Sequence, residues 1–201
     1  MKSLFSAVLV TCLTLFAAGS AQADKLTLSE ISGYFNGLTT ARGTFTQVNG
    51  DGSTSSGILY ISRPGRMRFE YDPPEQALVL ASANAVVIID KKSNQPPETY
   101  PLRRTPLSLI LARRVNLGQA RMVVGHEFDG TSTIVTAQDP KNADYGTIQM
   151  HFAGDPVRLQ QWVINDATGV QTTVVLDTLE TGLDLKNSLF DPGTALRSRD
   201  R

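Results

Sequence analysis

The chain has 201 residues, with 19 Lys and Arg balanced by 19 Asp and Glu, and 41% of its residues are hydrophobic. A chain of this length buries roughly 70% of its extended surface on folding, which is enough for one hydrophobic core without disulfides or metals. The neutral composition argues against any partner held mainly by phosphate charge, whether nucleic acid or an anionic membrane.

Residues 1–23 have the pattern of a cleaved export signal. A basic start at Lys2 is followed by an apolar run over residues 4–18, and Ala21-Gln22-Ala23 has the small-x-small form that signal peptidase cleaves. An uncleaved anchor is disfavoured because the run is short of the roughly 20 residues of a span. A lipoprotein site at Cys12 is disfavoured by the apolar residues that follow it. We expect export to an extracytoplasmic compartment, and a cysteine-free mature chain from Asp24 without thiol chemistry.

The first element predicted in the mature chain is an amphipathic helix. Thr27-Leu28-Ser29-Glu30 fits a capping box, in which the Thr and Glu side chains satisfy backbone N–H groups at the helix start. Apolar residues then recur at i, i+3, i+4 and i+7, which predicts one apolar stripe. The residues of this stripe are Ile31, Tyr34, Phe35 and Leu38.

Most of the remaining sequence has the period of β-strands. The run Arg66-Met67-Arg68-Phe69-Glu70-Tyr71 alternates strictly, which places its three apolar residues on one face. Turn signals such as Asn49-Gly50-Asp51-Gly52 and Asp139-Pro140 separate the predicted strands. Because these turns are too short for crossover helices, the pattern favours an antiparallel meander that closes toward a barrel. The strands are predicted at 44–48, 57–61, 66–71, 77–81, 85–90, 120–128, 131–138, 146–152, 157–165 and 170–179.

Sequence motifs for catalysis or metal binding are missing. His126 and His151 lie in predicted strands and do not form the helical two-histidine zinc motif. The sequence contains no nucleophile elbow and no glycine-rich phosphate loop. Hydrolysis by two carboxylates stays possible, but no spacing selects a pair. We therefore expect a binding protein without a metal or a cofactor.

The helical stripes and one face of nearly every strand are expected to meet on the same side of the sheet. A short second helix is predicted within residues 105–111, with Thr105 as its N-cap and Pro106 as its first residue. A packed core accounts for this convergence. So does a cavity for an apolar ligand beneath a helical lid. The second helix contributes Leu107, Ile110 and Leu111 to the same apolar side.

Arg63 continues the alternation of Leu59 and Ile61, so its side chain is expected on their apolar face. A buried charge without partners is costly. Carbonyl oxygens at the ends of the covering helices are natural acceptors for a guanidinium group. The alternative is that the strand ends at Ser62 and that Arg63 emerges into solvent.

Four motifs stand in order along the mature chain: Phe45-Thr46-Gln47, Gly57-Ile58-Leu59-Tyr60-Ile61-Ser62-Arg63-Pro64-Gly65, Thr105-Pro106-Leu107 and Ser188-Leu189-Phe190-Asp191-Pro192. In this order they resemble the periplasmic outer-membrane lipoprotein carrier proteins (LolA-like). The resemblance covers essentially the whole mature chain, and its most specific part is the segment around Arg63.

The resemblance implies a mainly β fold, an incomplete antiparallel β-barrel of ten to eleven strands with a helical lid over a hydrophobic cavity. It also implies that Arg63 latches the lid, and that acylated lipoproteins are the cargo in the periplasm. The implied partners are an inner-membrane ABC-type release complex and an outer-membrane receptor or acceptor, with no nucleic acid, and we expect a monomer. The expected cavity lining is Leu59, Ile61, Phe69, Tyr71, Leu78, Met150, Phe152, Trp162 and Ile164. The candidate partner contacts are Arg66, Met67 and Arg68.

One departure leaves the cargo open. Family members commonly have Asp-Gly followed by Trp-x-Tyr in the next hairpin, whereas this chain has Ala83-Asn84 and then Val86 and Ile88. A binding or sensing module for another amphiphile, a lipid or a glycolipid, is therefore the alternative. We expect one domain over residues 24–193 and a flexible, solvated tail over residues 194–201.

Overall fold

A computed structural model describes residues 24–93, 95–105, 107–119 and 121–199. The predicted export signal and the predicted helix-starting residue Pro106 lie outside these residues. Within them, no helix is both long enough and apolar enough to cross a membrane.

The described residues contain three helices and twelve strands, with short 3₁₀ turns at residues 102–104, 143–145 and 187–190. The helices are α1 (Leu28–Gly37), α2 (Leu107–Ile110) and α3 (Pro192–Arg199). The first six strands are β1 (Thr40–Val48), β2 (Thr54–Ser62), β3 (Arg66–Tyr71), β4 (Ala77–Ser82), β5 (Ala85–Asp90) and β6 (Glu98–Pro101). The others are β7 (Val123–Phe128), β8 (Thr133–Gln138), β9 (Thr147–Ala153), β10 (Arg158–Asn165), β11 (Gln171–Leu176) and β12 (Glu180–Thr181).

All strands belong to one antiparallel sheet in the order β6-β5-β4-β3-β2-β1-β11-β10-β9-β8-β7, with β12 paired to β1. Strands that pair are consecutive in the sequence, except where β1 pairs with β11 and β12. The predicted antiparallel meander is therefore confirmed, and the mainly β fold class with it. The sheet is open, because β6 and β7 stand at its two edges. The chain between these edge strands contains α2.

The sequence prediction missed two strands, β6 and β12. β6 is an exposed edge strand of four residues that ends in Pro101, so it shows no alternation of apolar and polar residues. β12 has only two residues, paired with Ala41 and Arg42 of β1. Neither strand has an alternating sequence of its own. Each is recognised only by its backbone pairing with a neighbouring strand.

The two faces of the sheet differ in what covers them. We call the face that packs against α1 and α2 the inner face, and the opposite one the outer face. The inner face contributes to a single large core cluster. On the outer face, Leu78 and Ile89 form a small separate cluster with Ala195 of α3. The expected solvated tail from residue 194 is therefore replaced, up to residue 199, by a helix whose Ala195 is 3% exposed. The prediction failed because the segment is rich in arginine, so its composition gave no sign that Ala195 and Leu196 contact apolar residues.

Candidate functional site

The helix α1 lies on the inner face with its apolar stripe against the sheet. Its predicted capping box is confirmed, because the Thr27 N–H donates to the Glu30 carboxylate at 2.7 Å and the Glu30 N–H donates to Thr27 Oγ1 at 3.2 Å. Ile31 is fully buried and Phe35 is 1% exposed. The Phe35 ring meets that of Phe152 edge-to-face at a centroid distance of 5.7 Å. The stripe thus fills the space above the sheet.

The segment that follows α2 continues the same covering layer. Leu107, Ile110, Leu111, Val115 and Leu117 are all buried in the large core cluster. The Thr105 hydroxyl donates to the Leu102 carbonyl at 2.8 Å, and the Thr105 carbonyl accepts from the Ser108 N–H at 3.1 Å. Because the adjoining Pro106 lies outside the described residues, the N-cap role of Thr105 stays a prediction. We call α1 together with residues 107–117 the cover.

Hydrogen bonds join the two parts of the cover directly. The Asn36 side chain donates to the Val115 carbonyl at 2.9 Å and accepts from the Val115 N–H at 2.9 Å. Ser32 Oγ accepts from the Leu117 N–H at 3.0 Å. Sequence analysis missed both residues, although Ser32 and Asn36 stand four apart beside the apolar stripe, a spacing that places them on one flank of the helix. These bonds make the cover one connected body.

Arg63 reaches both parts of the cover from the turn between β2 and β3. Its Nη1 donates to the Leu38 carbonyl at the end of α1 at 3.2 Å, and its Nη2 donates to the Ala112 carbonyl just beyond α2. Backbone bonds run parallel to these contacts, because the Arg63 N–H donates to the Thr39 carbonyl at 2.7 Å and the Gly65 N–H to the Leu111 carbonyl at 2.9 Å. The strand β2 does end at Ser62, but the expectation that Arg63 then emerges into solvent is wrong.

Burial of the Arg63 side chain reduces the net stabilisation that its hydrogen bonds provide. Its Nε is buried without a hydrogen-bond partner. Burial also lowers the pKa of Arg63 from its ordinary value, and no ion pair within 4.0 Å is found for it among the described residues. Neutral carbonyl acceptors offset only part of the cost of desolvating a guanidinium. Gly65, with φ of +75°, allows the tight turn that aims Arg63 inward.

Most of the expected cavity-lining residues lie together on the inner face. Six are buried in the large core cluster: Leu59, Ile61, Phe69, Met150, Phe152 and Trp162. Tyr71 and Ile164 are partly buried and pack against the same cluster. The Phe69 ring contacts the Phe45 ring at 5.2 Å and the Trp162 ring at 6.2 Å. Burial raises the pKa of Tyr71 to about 12, although its hydroxyl donates to Gln47 Oε1 at 2.7 Å.

The placement of Leu78 on this face is wrong. Leu78 pairs with Glu70 and Ile89 in the sheet and packs beneath α3 on the outer face. In β4, Val79 and Ala81 point to the large cluster instead. Because every residue of this strand from Ala77 to Ala81 is apolar, alternation gave no sign of which face was which.

The prediction of exposed partner contacts around Met67 is also wrong for that residue, which is 1% exposed within the large cluster. Arg66 and Arg68 lie on the opposite face, as the alternation predicts. Both contact the chain's own C-terminal segment. Arg66 donates to Asn187 Oδ1 at 2.6 Å, and Arg68 donates to the Leu189 carbonyl at 2.8 Å.

Titratable groups do not assemble into a catalytic or metal centre in the part of the chain that the structure describes. No group of three or more His, Cys, Asp or Glu side chains there is placed to hold a metal ion. His126 Nε2 lies 2.8 Å from the Leu26 carbonyl, and His151 Nε2 is buried without a partner. The geometry instead provides a large apolar surface beneath a cover held by a small number of polar bonds.

Comparison with known proteins identifies the family to which this chain is similar. Residues 36–192 match the family model described as outer membrane lipoprotein carrier protein LolA. The chain belongs to this family. This confirms the resemblance found in the four sequence motifs. The match runs from the last turn of α1 through the sheet and residues 107–117 to the first residue of α3.

Relatives named outer-membrane lipoprotein carrier protein align with most of this LolA-family chain. One from Cupriavidus necator is 35% identical over 192 residues, covering 89% of this chain and 88% of its own length. Another from Cupriavidus pinatubonensis is 25% identical over 189 residues, with coverage of 89% and 88%. A solved structure from Vibrio parahaemolyticus, named as an outer membrane lipoprotein-sorting protein domain, shares 10% identity at a TM-score of 0.50. It covers 88% of this chain and 98% of its own, and it supports the fold alone.

Proposed function

We propose that this protein is a periplasmic carrier that shields the acyl chains of lipoproteins between the inner and the outer membrane. The observation that carries the proposal is Arg63, whose guanidinium group donates to a carbonyl of each part of the cover. Few side-chain bonds therefore hold a body that seals a large apolar surface. Membership of a family of lipoprotein carriers supports the same function.

The physical basis is an exchange of one apolar partner for another. Each acyl CH₂ removed from water contributes about 0.8 kcal/mol, so several acyl chains in an open cavity bind too tightly for release. In the closed state the cover buries Ile31, Phe35 and Ile110 against the inner face. Cargo that displaces the cover must offset the loss of these contacts. Net affinity therefore stays low enough for transfer to an acceptor.

The proposed cycle needs two membrane partners and no cofactor. An ATP-driven inner-membrane release complex of the ABC type loads the carrier, and an outer-membrane receptor or acceptor unloads it. The carrier acts as a monomer that opens and closes its cover, with Arg63 as the latch.

The test measures soluble cargo complexes by native mass spectrometry. The protein is mixed with membranes bearing a triacylated lipoprotein, with and without the release complex and ATP. We expect a one-to-one soluble complex only when the release complex is active, and emptying when acceptor membranes are added. Retention of a free lipid or glycolipid, with no response to the lipoprotein, would instead establish a carrier of another amphiphile.

The latch is tested by Arg63→Leu, with Arg158→Leu at an exposed site on β10 as the matched control. Because the Arg63 side chain is desolvated and its Nε unpaired, we expect its loss to change the free energy of unfolding by no more than about 1 kcal/mol. Release of bound cargo should nevertheless slow, since the closed state that competes with cargo has lost its two carbonyl contacts. Parallel losses of stability and transfer would argue against a latch.

A further inference from the structure

The neutral composition of the chain hides a local concentration of positive charge over α2. Residues 99–126 contain five of the 19 Lys and Arg residues and none of the 19 Asp and Glu residues. All five are exposed, and four of them, which we call the arginine cluster, lie in two pairs at either end of α2. They are Arg103, Arg104, Arg113 and Arg114.

The arginine cluster is not neutralised within the part of the chain that the structure describes. The ion pairs found there within 4.0 Å join Arg68 to Glu70, Lys92 to Glu75 and Arg197 to Asp191, so none includes the cluster. The guanidinium of Arg104 lies 6.0 Å from the centre of the Tyr145 ring, which holds one side of it and leaves its N–H donors available. Guanidinium groups bind phosphate oxygens with two parallel hydrogen bonds.

A groove next to the proposed latch contains one arginine from each pair. Its volume is about 630 Å³, and its lining includes Arg103, Arg113 and the turn residues Pro64 and Gly65. Ala112, whose carbonyl accepts from Arg63, lines the same groove and directly precedes Arg113. An anion drawn to this groove therefore meets the residues that hold the cover closed.

Exposed apolar side chains precede and follow the arginine cluster along the chain. Tyr100 of β6 is 46% exposed and Val124 of β7 is 58% exposed. These strands are the two edges of the open sheet, and the cluster lies on the segment between them. A phenol ring and an aliphatic side chain beside arginines are typical of surfaces that rest at the boundary of a bilayer.

We propose that the arginine cluster docks the protein on an anionic phospholipid surface, with the cover turned toward the headgroups. The phosphates of a headgroup layer can take any spacing, so they can meet all four exposed arginines. An acidic protein would need carboxylates at matching positions, so we favour the lipid surface. The inference rests on the proposed function, since it places the cover where acyl chains leave and enter a membrane. It corrects the expectation from net charge, because local charge decides binding at a surface.

The test is cosedimentation with vesicles, which needs no lipoprotein and no release complex. Vesicles of phosphatidylcholine alone are compared with vesicles containing 30% phosphatidylglycerol, a proportion on the order of the charge density that attracts basic segments. Each arginine near such a surface contributes about fivefold to partitioning. We expect binding to the anionic vesicles that is lost at high salt, and about tenfold or greater weakening in Arg113→Gln/Arg114→Gln. The matched control is Lys91→Gln/Lys92→Gln, an adjacent exposed pair in the turn after β5, which should bind within about twofold of the unaltered protein.

Each outcome separates the inference from the proposed function. Equal binding to neutral and anionic vesicles, or equal weakening in both double variants, overturns the docking surface. Binding to polyglutamate without binding to anionic vesicles overturns it in favour of an acidic protein partner. Lipoprotein transfer in the native mass-spectrometry assay is independent of these results. The vesicle experiment therefore neither supports nor contradicts the proposed carrier function.

Discussion

The hairpin formed by β2 and β3 holds a covering element on each face of the sheet, and the two are held differently. On the inner face, Arg63 donates to backbone carbonyls of the cover, which buries a large continuous cluster. On the outer face, Arg66 and Arg68 bind the segment that leads into α3, which closes a cluster of only Leu78, Ile89 and Ala195.

This difference indicates which element is suited to exchange with a ligand. Opening the cover breaks a few polar bonds and exposes the large apolar cluster, a loss that bound acyl chains can offset. Releasing α3 exposes a surface of three buried side chains, which is too small to hold a chain of many CH₂ groups. For the proposed carrier function we therefore expect the ligand on the inner face rather than on the outer one.

The largest effect that sharpens this comparison is expected from Phe35→Ala. Removing a fully packed aromatic side chain from the large cluster should lower the free energy of unfolding by about 3–5 kcal/mol. Leu196→Ala, in α3 on the outer face, should cost about 1 kcal/mol, because Leu196 is only partly buried against a small cluster. Urea denaturation of both variants measures the difference. Equal losses would show that the two covering elements contribute alike.

A smaller effect is expected from Asn36→Ala, which breaks the bond between the two parts of the cover. The variant leaves the Val115 N–H and carbonyl without their partner and should cost about 2 kcal/mol. Hydrogen exchange of the Val115 and Leu117 amides should accelerate more than that of the sheet. The matched control is the exposed Asn116→Ala, whose side chain bonds only within its own turn to Gln119. Uniform acceleration across the molecule would contradict a cover that opens as one body.

On the outer face, Arg66→Gln should cost about 1 kcal/mol. It removes a hydrogen bond to Asn187 and a guanidinium 5.5 Å from the centre of the Phe190 ring. Thermal unfolding measures this loss. Because these contacts do not touch the cover, exchange of the Val115 amide should match that of the unaltered protein. Faster exchange there would show that the two faces are coupled through the hairpin.

The smallest effect concerns pH. Burial lowers the pKa of His151, only partly opposed by Asp129, so the unfolded chain binds a proton more readily than the folded one. Stability should therefore fall as the pH drops below about 6.5, with a slope of at most about 1.4 kcal/mol per pH unit. His151→Gln should flatten this slope in urea titrations from pH 7 to 5. Cargo release that follows the same profile would contradict our view, since the contacts of Arg63 do not titrate there.

Local sequence patterns determined the elements that make their own contacts. The capping box of Thr27 and Glu30, the apolar stripe of α1 and the strict alternation of β3 all follow from periods of 3.6 and 2. Alternation also placed Arg63 on an apolar face, although it left its acceptors open. Membership of the carrier family was indicated by the resemblance of the motif around Arg63 to that family, which periodicity alone does not give.

Tertiary structure decided the features that depend on a distant partner. Which face Leu78 takes depends on the register of β4 with β3 and β5, because its own strand is apolar throughout. The bonds of Asn36 to Val115 join residues 79 apart in sequence, and those of Arg63 join it to residues 25 and 49 away. Local patterns report periodicity within one element, whereas these contacts exist only once the sheet has brought separate elements together.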